Sequence, residues 1–377
     1  MRKYKFLLIL LVVFAQHAIA QEKGKLLRLI DKTYSLIEGD SAKPRKSYFF
    51  VLPIWGVSPE TGWRLGLSFG FIYRVKQDGI TRPSLLRLNT QFTQNKQFSI
   101  RPTIDLFFAE NKYNLKAEFV YNKFNEYYWG IGNQQTDSTK ELYNFKQNRF
   151  NLKLTRQFVK NLYLGSQIKY DKLYQIDFDN PLSTTQTSGV SGINGYQVLG
   201  LGFAVTYDNR DNIYYPLKGS YIDLSNLSFQ KAFGSKQTFN NITLDARQFV
   251  CLWKQNVLAA QIFGNFNFGD VPYRQMGTMG NDMIMRGYYN GRYRDNHLLA
   301  LQLEMRKTIW GPVGMTIFGG GGNVGANSKD LFSTFKPNYG IGLRCLVIRK
   351  EHVNIRIDLG LGEKNIKGLY FTMAEAF

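Results

Sequence analysis

The stretch FSIRPTIDLFF, residues 98–108, puts Phe98, Ile100, Pro102, Ile104, Leu106 and Phe108 on one side of an extended chain and Ser99, Arg101, Thr103 and Asp105 on the other. Successive side chains of a strand point to opposite faces, so one face is oily and the other wet. KYNLKAEFVYN, residues 112–122, repeats the pattern: Tyr113, Leu115, Ala117, Phe119 and Tyr121 oppose Asn114, Lys116, Glu118 and Asn122, and RFNLKLTRQF (149–158) follows suit. Each segment is about ten residues long, which is what a tilted strand needs to cross a bilayer. Alternation alone also fits a soluble sandwich with one solvated face, so the two chain ends decide between them.

At the N-terminus, MRKYKFLLILLVVFAQHAIA sets Arg2, Lys3 and Lys5 ahead of an apolar run from Phe6 to Ala15 and a small-residue site, Ala18-Ile19-Ala20. This reads as a secretory signal peptide cut after Ala20. Beyond it there is no apolar run of about 18 residues, so no helical membrane span is expected. The chain has 23 Tyr and 29 Phe, yet its mean hydropathy is −0.28. A transmembrane β-barrel reconciles the two, because lipid-facing apolar residues alternate with polar ones facing the lumen. The last ten residues, GLYFTMAEAF, put Leu369, Phe371, Met373 and the terminal Phe377 in one phase, with Glu375 as the exception. On a soluble edge strand such a terminus is a liability, and an aromatic end in this phase resembles the signal by which outer-membrane barrels are handed to their insertion machinery.

About sixteen candidate strands run from 48 to 377, and the even number is usual for a single-chain bacterial barrel. The long connections, 124–146, 175–196, 269–296 and 326–336, follow odd strands and read as outer loops, whereas most connections after even strands are short periplasmic turns. The chain thus divides into a signal peptide (1–20), a short N-terminal segment (21–47), read as an amphipathic helix or a flexible lead-in, and an all-β antiparallel barrel (48–377). A net charge of +20 is compatible with a nucleic-acid binder, but export removes that partner. In a barrel the excess cations belong in the lumen or at rims facing anionic lipid. Strand phase separates Cys251 from Cys345, so no disulfide is expected.

Five short motifs in order carry a family resemblance. TYDNRDNIYYPLKGSYIDL (206–224) holds an Asp208-x-Arg210-Asp211 turn followed by Pro216 and Gly219; Gly and Pro explain a turn without further meaning. With VSPETGWRLGLSFGF (57–71), YWGIGN (128–133), DVPYRQMG leading to MRGYYN, and LALQLEMRKTIWGPVGMTIFGGGGNV, the pattern is similar to the BamA/TamA-type outer-membrane superfamily over roughly 48–377. That resemblance implies a barrel whose long sixth extracellular loop folds back into the lumen. Its tip would be Met285-Arg286-Gly287-Tyr288, with the arginine meeting wall acids. A desolvated guanidinium has to be paired, and a carboxylate matches its bidentate geometry. In LLALQLEMR the leucines at 299, 301 and 303 and Met305 share the outer phase, so Gln302, Glu304 and Arg306 point inward and Glu304 is the first candidate partner. Where the family usually carries a second acid this chain has Gly320, which leaves another wall acid such as Asp358 or, alternatively, a solvated arginine at an outer loop tip.

Gly320, Gly322 and Gly325 also satisfy GxGxxG, but a strand leads into a polar loop here instead of a helix, so no dinucleotide is expected; the glycines instead let loop six approach the wall. Pro53, in the first strand, cannot donate to a ladder and points to a weak junction between first and last strands, the seam that also contains Phe377, or simply to a bend. His297 and His352 are isolated, so no catalytic residue, metal or cofactor is expected. The resemblance implies insertion or translocation of proteins or lipids at the outer membrane of a Gram-negative bacterium. Its partners would be membrane lipids, lipopolysaccharide and client proteins. Residues 21–47 are too few for a POTRA domain, which suggests a separate periplasmic partner; the alternative is a passive pore or surface antigen.

Overall fold

The computed structural model describes residues 47–58, 62–179, 189–253 and 256–377. The readings of 1–20 as a signal peptide and of 21–47 as a helix or lead-in lie outside the described residues, except for Ser47, which begins the first strand. Sixteen strands form one antiparallel wall in which each pairs with its neighbour in sequence. They are β1 (Ser47–Ser58), β2 (Gly62–Tyr73), β3 (Ser84–Thr93), β4 (Phe98–Phe107), β5 (Tyr113–Tyr128), β6 (Glu141–Val159), β7 (Leu162–Phe178), β8 (Tyr196–Asp208), β9 (Gly219–Phe229), β10 (Phe239–Trp253), β11 (Asn256–Gly269), β14 (His297–Trp310), β15 (Val313–Gly325), β16 (Lys336–Ile348), β17 (Val353–Leu361) and β18 (Lys367–Met373). Two-residue strands β12 (Gly277–Thr278) and β13 (Arg294–Asp295) form a small ribbon inside the connection from β11 to β14. The period-two code holds across the apolar band: Leu301 and Leu303 are exposed on the outside of the wall, while Gln302 and Glu304, which alternate with them, are buried.

Strands β5, β6 and β7 are longer than the alternation suggests, reaching Tyr128, starting at Glu141 and reaching Phe178. Above the apolar band the code inverts. Outward positions become polar, as at Lys123 and Lys146, and inward ones become aromatic, as at Tyr128, Tyr143 and Phe145. Those rings pack with Tyr196, Phe229, Phe239, Val271 and Tyr273 into an apolar core that fills the loop end of the barrel. A pattern that expects a wet inside therefore stops short.

The last strand differs as well. Ladder pairing ends at Met373, Ala374 takes a left-handed backbone (φ 66°), and the final residues turn into the barrel. Phe377 is 3% exposed and packs with Phe249, Val257 and Ala259, so it does not share the outer face of Leu369 and Phe371. Glu375, out of phase in the sequence reading, points inward toward Arg344. The sheet order begins at β1 and ends at β18, and among the described residues no ladder joins those two strands.

Candidate functional site

The connection 270–296 brings residues 285–288 against the inner side of β14 to β18. Arg286 is fully buried, donating from Nη1 to Asp358 Oδ2 at 2.6 Å and from Nη2 to Glu304 Oε2. Its guanidinium lies 3.5 Å from the centre of the Phe318 ring, a cation–π contact on the third side. The backbone of the tip is held too. Met285 N–H donates to Gln302 Oε1 (2.9 Å), Gly287 N–H to the Tyr370 hydroxyl (2.9 Å), and Asn338 Nδ2 to the Arg286 carbonyl (3.1 Å). Tyr288 donates its hydroxyl to the Pro337 carbonyl at 2.7 Å and accepts from Glu363 N–H at 3.0 Å. The structure thus brings Arg286 together with both Glu304 and Asp358, the second acid coming from β17 where Gly320 has none to offer.

Close backbone approach makes this docking possible. A Cβ added at Gly360 would lie 2.6 Å from the Arg286 carbonyl carbon, and one added at Gly287 (φ 114°) would lie 2.8 Å from that of Leu361. Gly322 leaves room for Met285, whose sulfur would sit 3.2 Å from an added Cβ, whereas Gly320 abuts the β14 backbone at Leu301. Gly360→Ala is therefore expected to push loop six off the wall and to cost about 1–3 kcal/mol, the range of an overpacked site. Denaturant unfolding compared with the outward-facing control Leu359→Ala checks this; a smaller loss at Gly360 than at Leu359 contradicts it.

The clamp belongs to a larger network. Glu304 accepts from Arg306 (2.9 Å), Asp358 accepts from Arg344 (2.5 Å) and Arg356 (2.6 Å), and Arg356 also meets Asp282 of loop six at 3.2 Å. Glu375 of the inturned tail accepts from Arg344 (2.8 Å) and Asn354 (3.0 Å), and Arg306 donates to the Phe377 carbonyl (2.8 Å). Four buried arginines thus face the buried carboxylates of Glu304, Asp358 and Glu375 and, at the exposed edge of the network, Asp282, so each guanidinium has a carboxylate partner. Sequence reasoning missed Arg344, Arg356 and Phe318. The first two were visible as cations in the inward phase of IGLRCLV and VNIRIDLG, whereas the Phe318 contact had no signal in the sequence.

At the opposite end of the wall, Asp208 collects Arg210 (2.9 and 2.8 Å) and Arg82 (2.6 Å). Asp211 accepts from the backbone N–H of Leu217 (3.0 Å), and Gly219 (φ 107°) closes the turn against the Asn209 carbonyl. Pro216 sits within this turn, whose Leu217 packs near Phe377 and whose Tyr214 carbonyl accepts from Glu375 N–H at 3.4 Å. The turn motif and the tail therefore touch. Pro53 lies in β1, opposite Leu67 of β2, on a strand with a single ladder neighbour. Around it β1 is apolar on both sides, with Phe49 and Val51 outside and Tyr48, Phe50, Leu52 and Ile54 inside. Cys251 and Cys345 are free and exposed.

The model of the Omp85 superfamily domain matches residues 80–377. No match is found among curated proteins. Among solved structures, BamA from Haemophilus ducreyi lacking POTRA domains 1–3 is similar over 88% of this chain and 70% of its own, at 15% identity and a TM-score of 0.54. CdiB from Escherichia coli is similar over 95% of this chain and 72% of its own (12%, TM-score 0.56), and CdiB from Acinetobacter baumannii over 87% and 60% (12%, TM-score 0.54). At these identities the likeness is one of fold.

Proposed function

The chain belongs to the Omp85 superfamily, a β-barrel of the Gram-negative outer membrane, and from that premise we propose that it assists the insertion or translocation of proteins, acting through the junction between β1 and β18. The observation that carries this reading is that, among the described residues, no ladder joins those two strands. An unpaired edge is a template for another strand, and β1, apolar on both faces, can swing toward lipid without dragging a charge into it. Loop six supports the other side: its tip bonds to β14, β16, β17 and β18 but not, among the described contacts, to β1. One flank is braced by loop six, and the bonds that brace it do not reach the other among the described residues. No bond-making chemistry is assigned to the chain, and its clients are proposed to be unfolded polypeptides crossing or entering the membrane.

Disulfides across the junction test this. With Cys251 and Cys345 replaced by serine, cysteine pairs are placed between Phe49 or Val51 and Leu369 or Phe371. The oxidised barrels are expected to lose insertion of a client barrel into liposomes and to regain it on reduction. Full activity while locked would overturn the proposal. Steady, large, ion-selective conductance in planar bilayers would instead favour a passive pore.

A further inference from the structure

The outer wall of β5 to β7 carries a group of cations that the seam does not use. On β5 the outward positions climb from Tyr113 through Leu115, Ala117, Phe119 and Tyr121 to Lys123. Eight residues separate Tyr113 from Tyr121; at about 3.4 Å per residue and a tilt of about 40° they rise roughly 20 Å, close to the height of an apolar barrel band. Lys123 therefore stands one step above the aromatic girdle, at the headgroup level of the leaflet on the long-loop side. Register places Lys146 of β6 directly opposite Lys123, and Lys172 of β7 opposite Asn148, on the diagonal from Lys146. Like charges directly across a ladder destabilise it. Among the described residues no carboxylate stands within ion-pair distance of these three lysines, although Lys172 lies 5.5 Å from the Tyr174 ring centre. The nearest acid on this face, Asp177, is paired in register with Asn144, a step closer to the rim.

Amides adjoin the three lysines: Asn148 between the cations, which donates to the Tyr174 hydroxyl at 3.4 Å, and Asn125 opposite Asn144 just above them, where Asn144 Nδ2 donates to Asp179 at 3.3 Å. Three ammonium groups with no carboxylate at ion-pair distance among the described residues call for a multiply charged anion. The flanking amides suit sugar hydroxyls and amides, and the apolar band below suits acyl chains. We propose that Lys123, Lys146 and Lys172 bind the phosphorylated headgroup of an outer-leaflet glycolipid, whose acyl chains run down the outer face of β5 to β7. Bound there, the lipid relieves the repulsion between Lys123 and Lys146 and fixes the depth of the barrel on a wall away from the β1–β18 junction.

The test compares the full chain with the triple variant K123Q/K146Q/K172Q and with a control of equal charge loss at the other rim, K160Q/K218Q/K307Q. The probes are diphosphoryl lipid A, its dephosphorylated form and inorganic phosphate, read by native mass spectrometry and by thermal unfolding in neutral detergent. The triple variant is expected to bind diphosphoryl lipid A on the order of a hundred-fold more weakly, the loss expected from three cations near a charged headgroup. The control should bind like the wild type, and the dephosphorylated lipid should bind weakly to all three proteins. Without lipid, the triple variant should unfold at or above the wild-type temperature, because a repulsion has been removed, so poor folding cannot mimic the result. Equal lipid binding by wild type and triple variant would overturn the proposal, as would equal protection by inorganic phosphate alone.

Discussion

Arg286→Ala is expected to destabilise the barrel by about 3 kcal/mol, the lower end of the 3–5 kcal/mol typical when one partner of a buried ion pair is removed. The lower end applies because neither acid is wholly abandoned: Glu304 keeps Arg306, and Asp358 keeps Arg344 and Arg356. What is lost is the loop-six side chain that hydrogen-bonds both acids and also covers the Phe318 ring. Arg286→Lys should fall between the two, since an ammonium lacks the planar fork that reaches Glu304 and Asp358 together. Tryptophan fluorescence in a denaturant series and the temperature at which the folded band disappears on a gel both report the change. Wild-type midpoints in Arg286→Ala would show that the arginine does not hold loop six.

Removal of residues 374–377 is the second change with a large expected effect. Phe377 and Ala376 are buried, and burying a phenylalanine side chain contributes about 1.5–3 kcal/mol. Glu375 satisfies Arg344 and Asn354, so its loss leaves four arginines facing three acids. The truncated barrel should therefore unfold with a loss of about 3–5 kcal/mol even after refolding in purified form. Glu375→Gln, which keeps the shape and removes the charge, should reproduce part of this. If Phe377 served only as an assembly signal on the outer face of β18, truncation would reduce the assembled protein in cells while the purified, refolded barrel kept its wild-type stability. That pattern would contradict the inturned tail.

The phase of alternation made much of this legible. In LLALQLEMR it placed Gln302, Glu304 and Arg306 inside, and in the structure they are buried on the lumen side and bonded there. The same parity holds in VNIRIDLG, where Arg356 and Asp358 are buried. Phase reports which side a residue faces but not which residues from distant strands meet, so the joint clamp of Glu304 with Asp358, the Phe318 contact and the Gly287–Gly360 approach became visible only in three dimensions. It also fails where the environment reverses. Tyr128, Tyr143 and Phe145 point into an apolar core at the loop end, so β5 to β7 outrun their pattern. A single residue defeats it at the C-terminus, where the left-handed Ala374 turns an apparent outer position, Phe377, into the lumen.

Amide hydrogen exchange of the barrel in a lipid nanodisc tests the braced loop and the free seam together. Met285 and Gly287 donate their N–H groups to Gln302 and Tyr370, and β9 and β10 are laddered on both sides. All of these should exchange slowly, while alternate amides along β1 and β18, which no ladder joins among the described residues, should exchange fast. Slow exchange along β1 and β18, equal to that of β9 and β10, combined with fast exchange at residues 285–288, would contradict both the open junction and the clamped loop.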